Sequence, residues 1–380
     1  MNDTGRPLLA SYGGGHAAII AAMAKTLMDA GITPDLLGFT TAFEAFRRKN
    51  LPAHSVSALI EGRRTAYDKA AVRAAPYHPA RGHPDVSAAQ TRDYFAIGLH
   101  DLIETRGETA ALAALAKTGR AAFEPIATCM AYLRAHRPSV IVTTTSPRFE
   151  LALIRAGRRL NIPTLAIADL FLQRERPWVL SGDYADHLCV LNAGLRAELL
   201  AAAPGQKPQI HATGNPAFDP LATLRQDRGR RDTLRRRLGL GDRSLILWPT
   251  APVERADFTD YRFASAAAVA AVLEPLCAAN PHLTYMLRPH PNASHGLPDG
   301  AVQGFLDPGL TVEEALLAAD VVCFEVSSVG LQAHLAGLPT LCVGCADVVV
   351  FPSYAGTKVA RDLDDMAAIL AATPIPALPR

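Results

Sequence analysis

A chain of 380 residues is longer than a single hydrophobic core usually supports, so two domains are expected. Hydrophobic residues make up 49% of the sequence, which is ample for two cores, and a net charge of only +2 argues against a dedicated nucleic-acid binder. No apolar run approaches the ~18 residues of a transmembrane helix. The N-terminus lacks a charged-then-apolar signal peptide. We therefore expect a cytoplasmic protein.

The first predicted elements are a strand, a glycine turn and a helix. Apolar residues at Leu8–Ser11 lead into Gly13–Gly15, His16 and a long Ala-rich helical segment, and a second strand is predicted at Asp35–Phe39. Three glycines allow the backbone to approach a ligand closely, and the helix N-terminus contributes about half a positive charge. The segment matches neither the GxGxxG nor the GxxxxGK[ST] pattern, so alone it identifies no nucleotide.

Residues 49 to 91 are rich in Arg, His, Pro and Ala, and their hydrophobic periodicity is poor. Such an insertion in an α/β domain is more often an acceptor-binding or partner-binding excursion than core. His78, Arg81 and His83 could contribute to a metal site, but their spacing matches no strong template. Solvated loop residues are the better interpretation, and no metal site is predicted.

The rest of the first half alternates helices and strands. A helical region at Leu99–His136 leads to a strand at Val140–Thr144, a helix that ends at Leu160, and a strand at Thr164–Ala168. Asp169 follows that last strand directly. This alternation is typical of a parallel α/β sheet.

Two residues are candidates for a general base that deprotonates a hydroxyl group. Asp169 closes an apolar strand, so it either acts as this base or caps the next segment. His16 begins a helix and either acts as the base, binds an acceptor or caps the helix. An imidazole titrates closer to neutral pH than a carboxyl group does, so we rank His16 first.

A second domain is predicted from residue 216, within the strand and turn at Ile210–Pro220. The arginines of the helical segment Arg225–Leu238 either lie on one solvated helix or form a weak membrane-surface contact. Because Asp227 and Asp232 interrupt the positive charge, the solvated helix is preferred.

The strand Leu245–Trp248 then ends in a Pro-rich loop. Thr250 in this loop is a candidate for contact with a ligand phosphate, and Glu254 and Arg255 are further candidates.

Arg288 and His290 stand at the end of another predicted strand, in the sequence YMLRPHPN. Parallel sheets bind ligands at the carboxyl ends of their strands. Arginine suits bidentate phosphate contact, and histidine can donate a hydrogen bond to an oxyanion. The alternative is a turn whose basic residues are merely solvated.

The most informative segment repeats this pattern near the C-terminus. A strand at Val321–Phe324 ends in the turn Glu325–Ser328, a helix is predicted at Val329–Ala336, and Gly337 ends it. The Ser327 and Ser328 hydroxyls and the first N–H groups of the helix could bind one anion, such as a diphosphate. The alternative is an ordinary capped helix.

These motifs together resemble a known superfamily. Gly13–His16 resembles the N-terminal loop of GT-B glycosyltransferases that use nucleotide sugars, such as the peptidoglycan GlcNAc transferase. Thr213–Pro216, with Asp219 behind it, resembles the TGN segment of those enzymes and of UDP-GlcNAc 2-epimerases. Arg288–Pro291 and Ser327–Gly330 resemble the RPHP and SS(V/T) motifs of capsule and teichoic-acid transferases. The GTRPE-type and HxGD-type segments of the epimerases are missing, as is the longer GGTGGH loop of the peptidoglycan enzyme.

The resemblance implies a GT-B-like α/β fold, with two Rossmann-type domains facing each other across a cleft. An acceptor domain is expected at 1–215, a donor domain at 216–360, and a C-terminal helix and tail at 361–380. The implied activity is metal-independent, inverting transfer of a sugar from a nucleotide diphosphate, with UDP expected, to a carbohydrate, lipid-linked or other hydroxyl acceptor. The nucleotide sugar is a co-substrate, and no cofactor is expected. The predicted site residues are His16, Asp169 and His290 for catalysis; Thr250, Arg288, His290, Glu325, Ser327, Ser328, Val329, Gly330 and Gln332 for the donor; and Gly13, Gly14 and Gly15 in the glycine loop.

Three alternatives stay open. A nucleotide-sugar hydrolase or 2-epimerase would use the same donor pocket with water or the sugar itself as the reacting partner. A CDP-polyol-phosphate transferase would share the RPHP and serine motifs. A non-catalytic sugar-nucleotide-binding protein is favoured only if neither His16 nor Asp169 faces the cleft.

Overall fold

The computed structural model of the protein describes residues 5–203, 205, 208–250, 263–290, 301–325, 327–344 and 358–372. The chain divides into two compact units, Met1–Ala217 and Phe218–Arg380, where the sequence placed a boundary after residue 215. Each unit contains one parallel β-sheet accompanied by helices, which confirms the predicted α/β class with two Rossmann-type domains.

The described part of the first unit contains seven strands and nine α-helices, with short 3-10 helices between some of them. The strands are β1 (Leu8–Ser11), β2 (Asp35–Gly38), β3 (His54–Ser55), β4 (Ile141–Thr144), β5 (Thr164–Ile167), β6 (His187–Val190) and β7 (Gln209–Ala212). The helices are α1 (Gly15–Asp29), α2 (Thr41–Arg48), α3 (Asp68–Ala74), α4 (Ala88–Arg106), α5 (Glu108–Thr118), α6 (Ile126–His136), α7 (Phe149–Arg159), α8 (Arg176–Val179) and α9 (Ala193–Ala202).

The first sheet has the strand order β3-β2-β1-β4-β5-β6-β7, and all its strands are parallel. The chain builds outward from β1 in one direction and from β4 in the other, so the loops after these two central strands diverge. Ligands of open parallel sheets bind at such a switch point, outside the carboxyl ends of the strands. The glycine loop follows β1 and therefore lies there.

Helix α1 lies close to the first sheet because small side chains form much of its buried face. Ala17, Ile20 and Ala24 pack with Leu9 of β1 and Leu36 of β2 in one hydrophobic cluster. This packing fixes the start of α1, and with it the glycine loop, against the central strands.

Part of the segment 49–91 belongs to the core, which corrects its interpretation as an excursion. His54–Ser55 forms the edge strand β3, and Val56, Leu59 and Ile60 of the next 3-10 helix are fully buried. The periodicity was poor because short 3-10 helices, rather than one long helix, carry these buried side chains.

The described part of the second unit contains six strands and six α-helices. The strands are β8 (Ser244–Pro249), β9 (Leu283–Arg288), β10 (Gly304–Leu306), β11 (Val321–Phe324), β12 (Thr340–Val343) and β13 (Lys358–Ala360). The helices are α10 (Leu221–Leu224), α11 (Arg228–Arg237), α12 (Ala266–Ala279), α13 (Val312–Ala318), α14 (Ser328–Leu335) and α15 (Leu363–Ala372).

The second sheet is also parallel, in the order β10-β9-β8-β11-β12-β13. Its switch point lies between β8 and β11, so the loops that follow these strands diverge as in the first unit. Thr250 follows β8 and Glu325–Ser328 follows β11. Two of the predicted motifs therefore lie at the second switch point.

Buried residues of α12 and β8 form the core of the second unit, and α15 completes it. Met366 and Leu370 of α15 pack in the same cluster as Trp248 and Leu273. The predicted C-terminal helix is thus part of this unit's core, whereas residues 373–380 of the predicted tail lie outside the described residues.

Helix α11 is not the wholly exposed basic helix that the sequence suggested. Arg231 and Arg235 are buried and form ion pairs with Asp320, at 2.6 and 2.9 Å. The second oxygen of Asp320 also accepts a hydrogen bond from the backbone of Leu245, at 2.8 Å. The two arginines therefore anchor α11 to the start of β11 and β8, while other arginines of the helix are exposed.

None of the helices among the described residues combines the length and the apolar character needed to cross a membrane.

Candidate functional site

The glycine loop of the first unit depends on glycine at two of its three positions. Gly13 and Gly14 have φ values of 154° and 58°, which side chains rarely adopt. A Cβ atom on Gly13 would also collide with the Thr41 hydroxyl. Gly15 has neither constraint, since a Cβ there would meet no atom within 4 Å. Space and conformation thus explain the first two glycines but not the third.

His16 and Asp169 lie together at the carboxyl edge of the first sheet. His16 Nε2 is 3.6 Å from Asp169 Oδ2, and about a quarter of each side chain is exposed (24% and 27%). This distance is too long for a hydrogen bond, but a protonated His16 would form an ion pair with Asp169 across it. The two residues that the sequence proposed as bases therefore share one small region.

The backbone around Asp169 is fixed by its neighbours. Asp169 Oδ1 accepts a hydrogen bond from the Leu170 N–H at 2.8 Å, and its carbonyl accepts one from Asn215 Nδ2 at 3.1 Å. Asn215 belongs to the TGN segment after β7. That segment thus contributes to the site of the first unit by holding Asp169 in place.

Glu150 lies fully buried beneath the glycine loop, and sequence reasoning missed it. Its oxygens accept hydrogen bonds from the Tyr12 N–H at 2.6 Å and the Thr144 hydroxyl at 2.5 Å. Burial raises the pKa of Glu150, while the nearby charge of His16 and these donors oppose the shift. An acidic residue in the first turn of a helix is common, so the sequence carried no specific signal for it.

Glu175 is a second acidic residue that the sequence did not indicate. Burial raises the pKa of the Glu175 carboxyl, and the negative charge of Asp169 raises it further. The negative charge of Asp169 thereby favours the protonated form of Glu175. The first unit therefore contains two acidic side chains and one imidazole near the end of β5.

In the second unit, Thr250 and His290 are joined across the ends of neighbouring strands. The Thr250 N–H donates to the Arg288 carbonyl at 2.9 Å, and the His290 N–H donates to the Thr250 hydroxyl at 3.1 Å. Burial lowers the pKa of His290, so its imidazole is neutral at pH 7. A neutral imidazole still has one N–H to donate.

Arg288 has a structural role that the sequence did not predict. Its Nη1 donates to Asp307 and to the Leu310 carbonyl, the latter at 2.8 Å. Asp307 is almost fully buried and also accepts hydrogen bonds from the Gly309 and Leu310 N–H groups. Arg288 therefore orders the loop that precedes α13, and phosphate contact through its other nitrogens stays a prediction.

Glu325 faces the segment that leads into α12. Both of its oxygens lie 3.0 Å from the Ala264 N–H, and only 4% of the residue is exposed. Direct contact of Glu325 with a ligand stays a prediction, and its observed bonds tie the end of β11 to the start of α12.

Ser327 is the N-cap of α14. Its hydroxyl accepts from the Val329 N–H at 3.2 Å, and its carbonyl accepts from the Gly330 N–H at 3.1 Å. A Cβ on Gly330 would collide with the Phe324 ring, which explains this glycine by packing. Ser328 and Gln332 are half-buried on the same helix. Ser327 therefore caps the helix, and anion binding at this N-terminus stays a prediction.

Three of the predicted positions, Glu254, Arg255 and Pro291, lie outside the described residues. Across the described ranges, no three His, Cys, Asp or Glu side chains are arranged so that they could hold a metal ion. His78 packs against the ring of Phe95, with 4.9 Å between ring centroids, rather than lying free in a solvated loop.

No protein-family model and no curated protein sequence matches the chain. Solved structures do match it. The UDP-GlcNAc 2-epimerase of Neisseria meningitidis, bound to UDP-GlcNAc, is 12% identical, with a TM-score of 0.60 over 96% of this chain and 89% of that one. The UDP-GlcNAc 2-epimerase of Methanocaldococcus jannaschii, in complex with UDP-GlcNAc and UDP, is 12% identical, with a TM-score of 0.59 over 98% and 94%.

A wall teichoic acid polymerase, TagF, is also similar, at 12% identity and a TM-score of 0.54 over 97% of this chain and 80% of that one. At such identities the likeness concerns the fold, and it extends over nearly the whole chain. The GT-B fold that the sequence motifs predicted is therefore confirmed: the chain consists of two Rossmann-type α/β domains.

Proposed function

We propose that the protein transfers a glycosyl group from a nucleotide-diphosphate sugar, with UDP as the expected nucleotide, to an acceptor hydroxyl with inversion at the anomeric carbon. The observation that supports this most directly is the pair formed by His16 and Asp169 beside the glycine loop. The likeness in fold to proteins that hold UDP-GlcNAc supports the nucleotide-sugar donor.

In this scheme His16 Nε2 takes the proton of the acceptor hydroxyl. The acceptor oxygen then attacks the anomeric carbon, the bond from that carbon to the phosphate oxygen breaks, and the nucleoside diphosphate leaves with the electron pair. Asp169, at 3.6 Å, stabilises the imidazolium that forms. Asp169 thus favours proton transfer to His16, because the neutral imidazole becomes a cation in that step.

The second unit is proposed to hold the leaving diphosphate. The N-terminus of α14 carries partial positive charge, and the Ser328 hydroxyl lies at its first turn. His290 can donate a hydrogen bond to the phosphate oxygen that gains charge. Helix and side-chain donors together neutralise the diphosphate, so this scheme requires no metal ion.

A screen of products tests the proposal. The protein is incubated with UDP-GlcNAc, other UDP-sugars or CDP-glycerol, with and without a set of hydroxyl acceptors, and nucleotide and sugar products are separated. A transferase releases UDP only when an acceptor is present, and it forms a glycosylated product. Free UDP and free sugar without acceptor would indicate a hydrolase instead.

A 2-epimerase is the second candidate, and one observation favours it specifically. Burial and the negative charge of Asp169 both raise the pKa of Glu175, so a protonated Glu175 could donate a proton on one side of a substrate while another group accepts one. Inversion at C2 breaks the C2–H bond, so incubation of UDP-GlcNAc in D2O without acceptor would give the C2 epimer with deuterium at C2. A transferase leaves C2 protonated. The CDP-glycerol arm of the screen tests the polyol-phosphate alternative.

Replacement of the serines at the start of α14 should separate stability from binding. Ser327→Ala removes the N-cap, so we expect a loss of about 1 kcal/mol in the free energy of unfolding. Each lost hydroxyl–phosphate bond should also cost roughly 1.5–3 kcal/mol of nucleotide binding. Ser328→Ala, which removes no cap, should weaken binding alone. Titration of UDP and CDP measures this, and unchanged affinity in the double variant would remove both serines from the site.

Alanine at Gly13 should affect stability, whereas alanine at Gly15 should affect acceptor binding. Gly13→Ala should destabilise the protein, because the new Cβ meets Thr41. Gly15→Ala should fold normally, yet it should raise the half-saturating acceptor concentration about fivefold or more, since overlap with a bound substrate costs about 1–3 kcal/mol. Thermal unfolding and initial rates check both. Unchanged kinetics for Gly15→Ala would show that no substrate approaches this residue.

His290→Ala is expected to lower turnover by about 10², with a smaller change in the KM for the donor. The reason is that its hydrogen bond strengthens as negative charge builds on the leaving phosphate. His290→Gln, which keeps an N–H donor, should recover part of the rate. Steady-state kinetics with varied donor would contradict the prediction if only the KM rises, in which case His290 merely binds the donor.

A further inference from the structure

Arg148 has an unusual backbone conformation at the switch point of the first sheet. It precedes α7 with φ 68° and ψ −112°, a combination that residues with side chains seldom adopt. Backbone strain of this kind concentrates at functional sites, where the position of a side chain matters more than local stability. The contacts of the Arg148 side chain indicate what this position serves.

The Arg148 guanidinium lies over the ring of Tyr12, with 4.4 Å between Cζ and the ring centroid. Tyr12 is fixed at three points. Its N–H donates to Glu150 at 2.6 Å, its carbonyl accepts from the Thr40 hydroxyl, and its own hydroxyl lies 2.6 Å from that of Tyr94. The guanidinium therefore rests on a rigid aromatic surface, which determines its position.

Arg148 forms no ion pair within the part of the chain that the structure describes. No carboxyl group of the described residues forms an ion pair with it, whereas Arg155 and Arg158 on the same helix are paired with Glu124 and Asp186. The oxygens of neighbouring Glu150 accept hydrogen bonds from the Tyr12 N–H and the Thr144 hydroxyl instead. The cation at this switch point is therefore available to a ligand.

Several buried polar atoms around the glycine loop and in the turn after β4 lack partners among the described residues. Ser11 Oγ, His16 Nδ1, Thr145 Oγ1 and Arg148 Nε are all buried and have no hydrogen-bond partner within the described parts of the chain. Ser11 ends β1, and Thr145 follows the paired strand β4; both are fully buried. Buried polar groups are almost always hydrogen-bonded, so the Arg148 Nε–H without a partner indicates that a ligand supplies an acceptor for this guanidinium.

We propose that Arg148 binds an oxyanion carried by the acceptor substrate on which His16 acts. A guanidinium held on a rigid aromatic ring suits a phosphate or a carboxylate. The inference rests on the proposed function for the identity of that substrate, and it specifies its class: the acceptor is anionic.

Arginine side-chain NMR tests this without any turnover. The protein is labelled with 15N at arginine Nε, and the Arg148 signal is identified by its loss in Arg148→Lys. Sodium phosphate and sodium acetate are then titrated separately at constant ionic strength. The Arg148 Nε–H signal should shift and saturate with one of the two, which distinguishes phosphate from carboxylate, and the same shift should occur in the control Arg159→Gln. A signal that moves with neither anion overturns the proposal.

Arg148→Gly provides a second, independent measurement. Glycine relieves the strained backbone, so the Tm of this variant should equal or exceed that of the wild type, while the half-saturating acceptor concentration should rise at least tenfold. A lower Tm with unchanged acceptor dependence would mean that Arg148 serves structure alone and would overturn the proposal. Because the NMR titration needs no transfer activity, failure of the oxyanion site and failure of the proposed reaction give different results.

Discussion

His16→Ala should lower the rate of transfer at saturating donor by about 10²–10⁴, the usual contribution of a general base. Asp169→Asn should cause a smaller loss. The amide can still accept the bond from the Leu170 N–H, so the loop should keep its shape while the charge that stabilises the imidazolium disappears. Initial rates of acceptor-dependent nucleotide release measure both effects.

The matched control for this experiment is His54→Ala, which removes an exposed histidine from the edge strand of the same unit. It should leave the rate unchanged. If His16→Ala keeps a near-normal rate while Asp169→Asn is inactive, the ranking is wrong and Asp169 is the base. If both stay active, the base lies elsewhere or the protein does not catalyse transfer.

Asp320→Ala should lower the free energy of unfolding of the second unit by about 3–5 kcal/mol. The substitution leaves the guanidinium groups of Arg231 and Arg235 buried without their carboxylate, and it removes the acceptor of the Leu245 N–H. Since a protein's total stability is typically about 5–15 kcal/mol, this single change should lower it severely.

Urea unfolding followed by Trp248 fluorescence measures the effect, because Trp248 is fully buried in the core of the second unit. A Trp178→Phe background removes the other tryptophan, which belongs to the first unit. Asp364→Ala, which changes an exposed aspartate of α15, is the control and should shift stability by less than about 0.5 kcal/mol. A loss below about 1 kcal/mol for Asp320→Ala would mean that the pairs contribute no more than exposed ones do.

The order of elements could be predicted from the sequence because each apolar run forms a strand and the turn residues after it mark where that strand ends. β1 and β11 have the predicted bounds, Leu8–Ser11 and Val321–Phe324. The burial of Arg231 could not be predicted, because its partner Asp320 is 89 positions away. A carboxylate that distant leaves no local pattern in a sequence, and an Arg-rich helix then reads as solvated.

The candidate site was predictable where its residues lie shortly after the end of a strand. His16 and Asp169 each follow a strand of one parallel sheet, so the topology alone brings them to the same edge. Arg148 was not predictable, because its positive φ and its place over Tyr12 follow from the turn geometry after β4. Sequence signals for such turns are usually glycine or asparagine, and an arginine gives none.

The strand order of the first sheet also determines when this unit can assemble. β1 is a central strand, yet its partner β4 comes only after α3 to α6, and the Tyr12–Glu150 hydrogen bond joins residues 138 positions apart. At about 5–20 residues per second of synthesis, the nascent chain carries β1 with one unpaired edge for several seconds before β4 emerges. Contacts so distant in sequence also make folding slow. The glycine loop, although among the first segments made, can acquire its final shape only after more than a third of the chain has been translated.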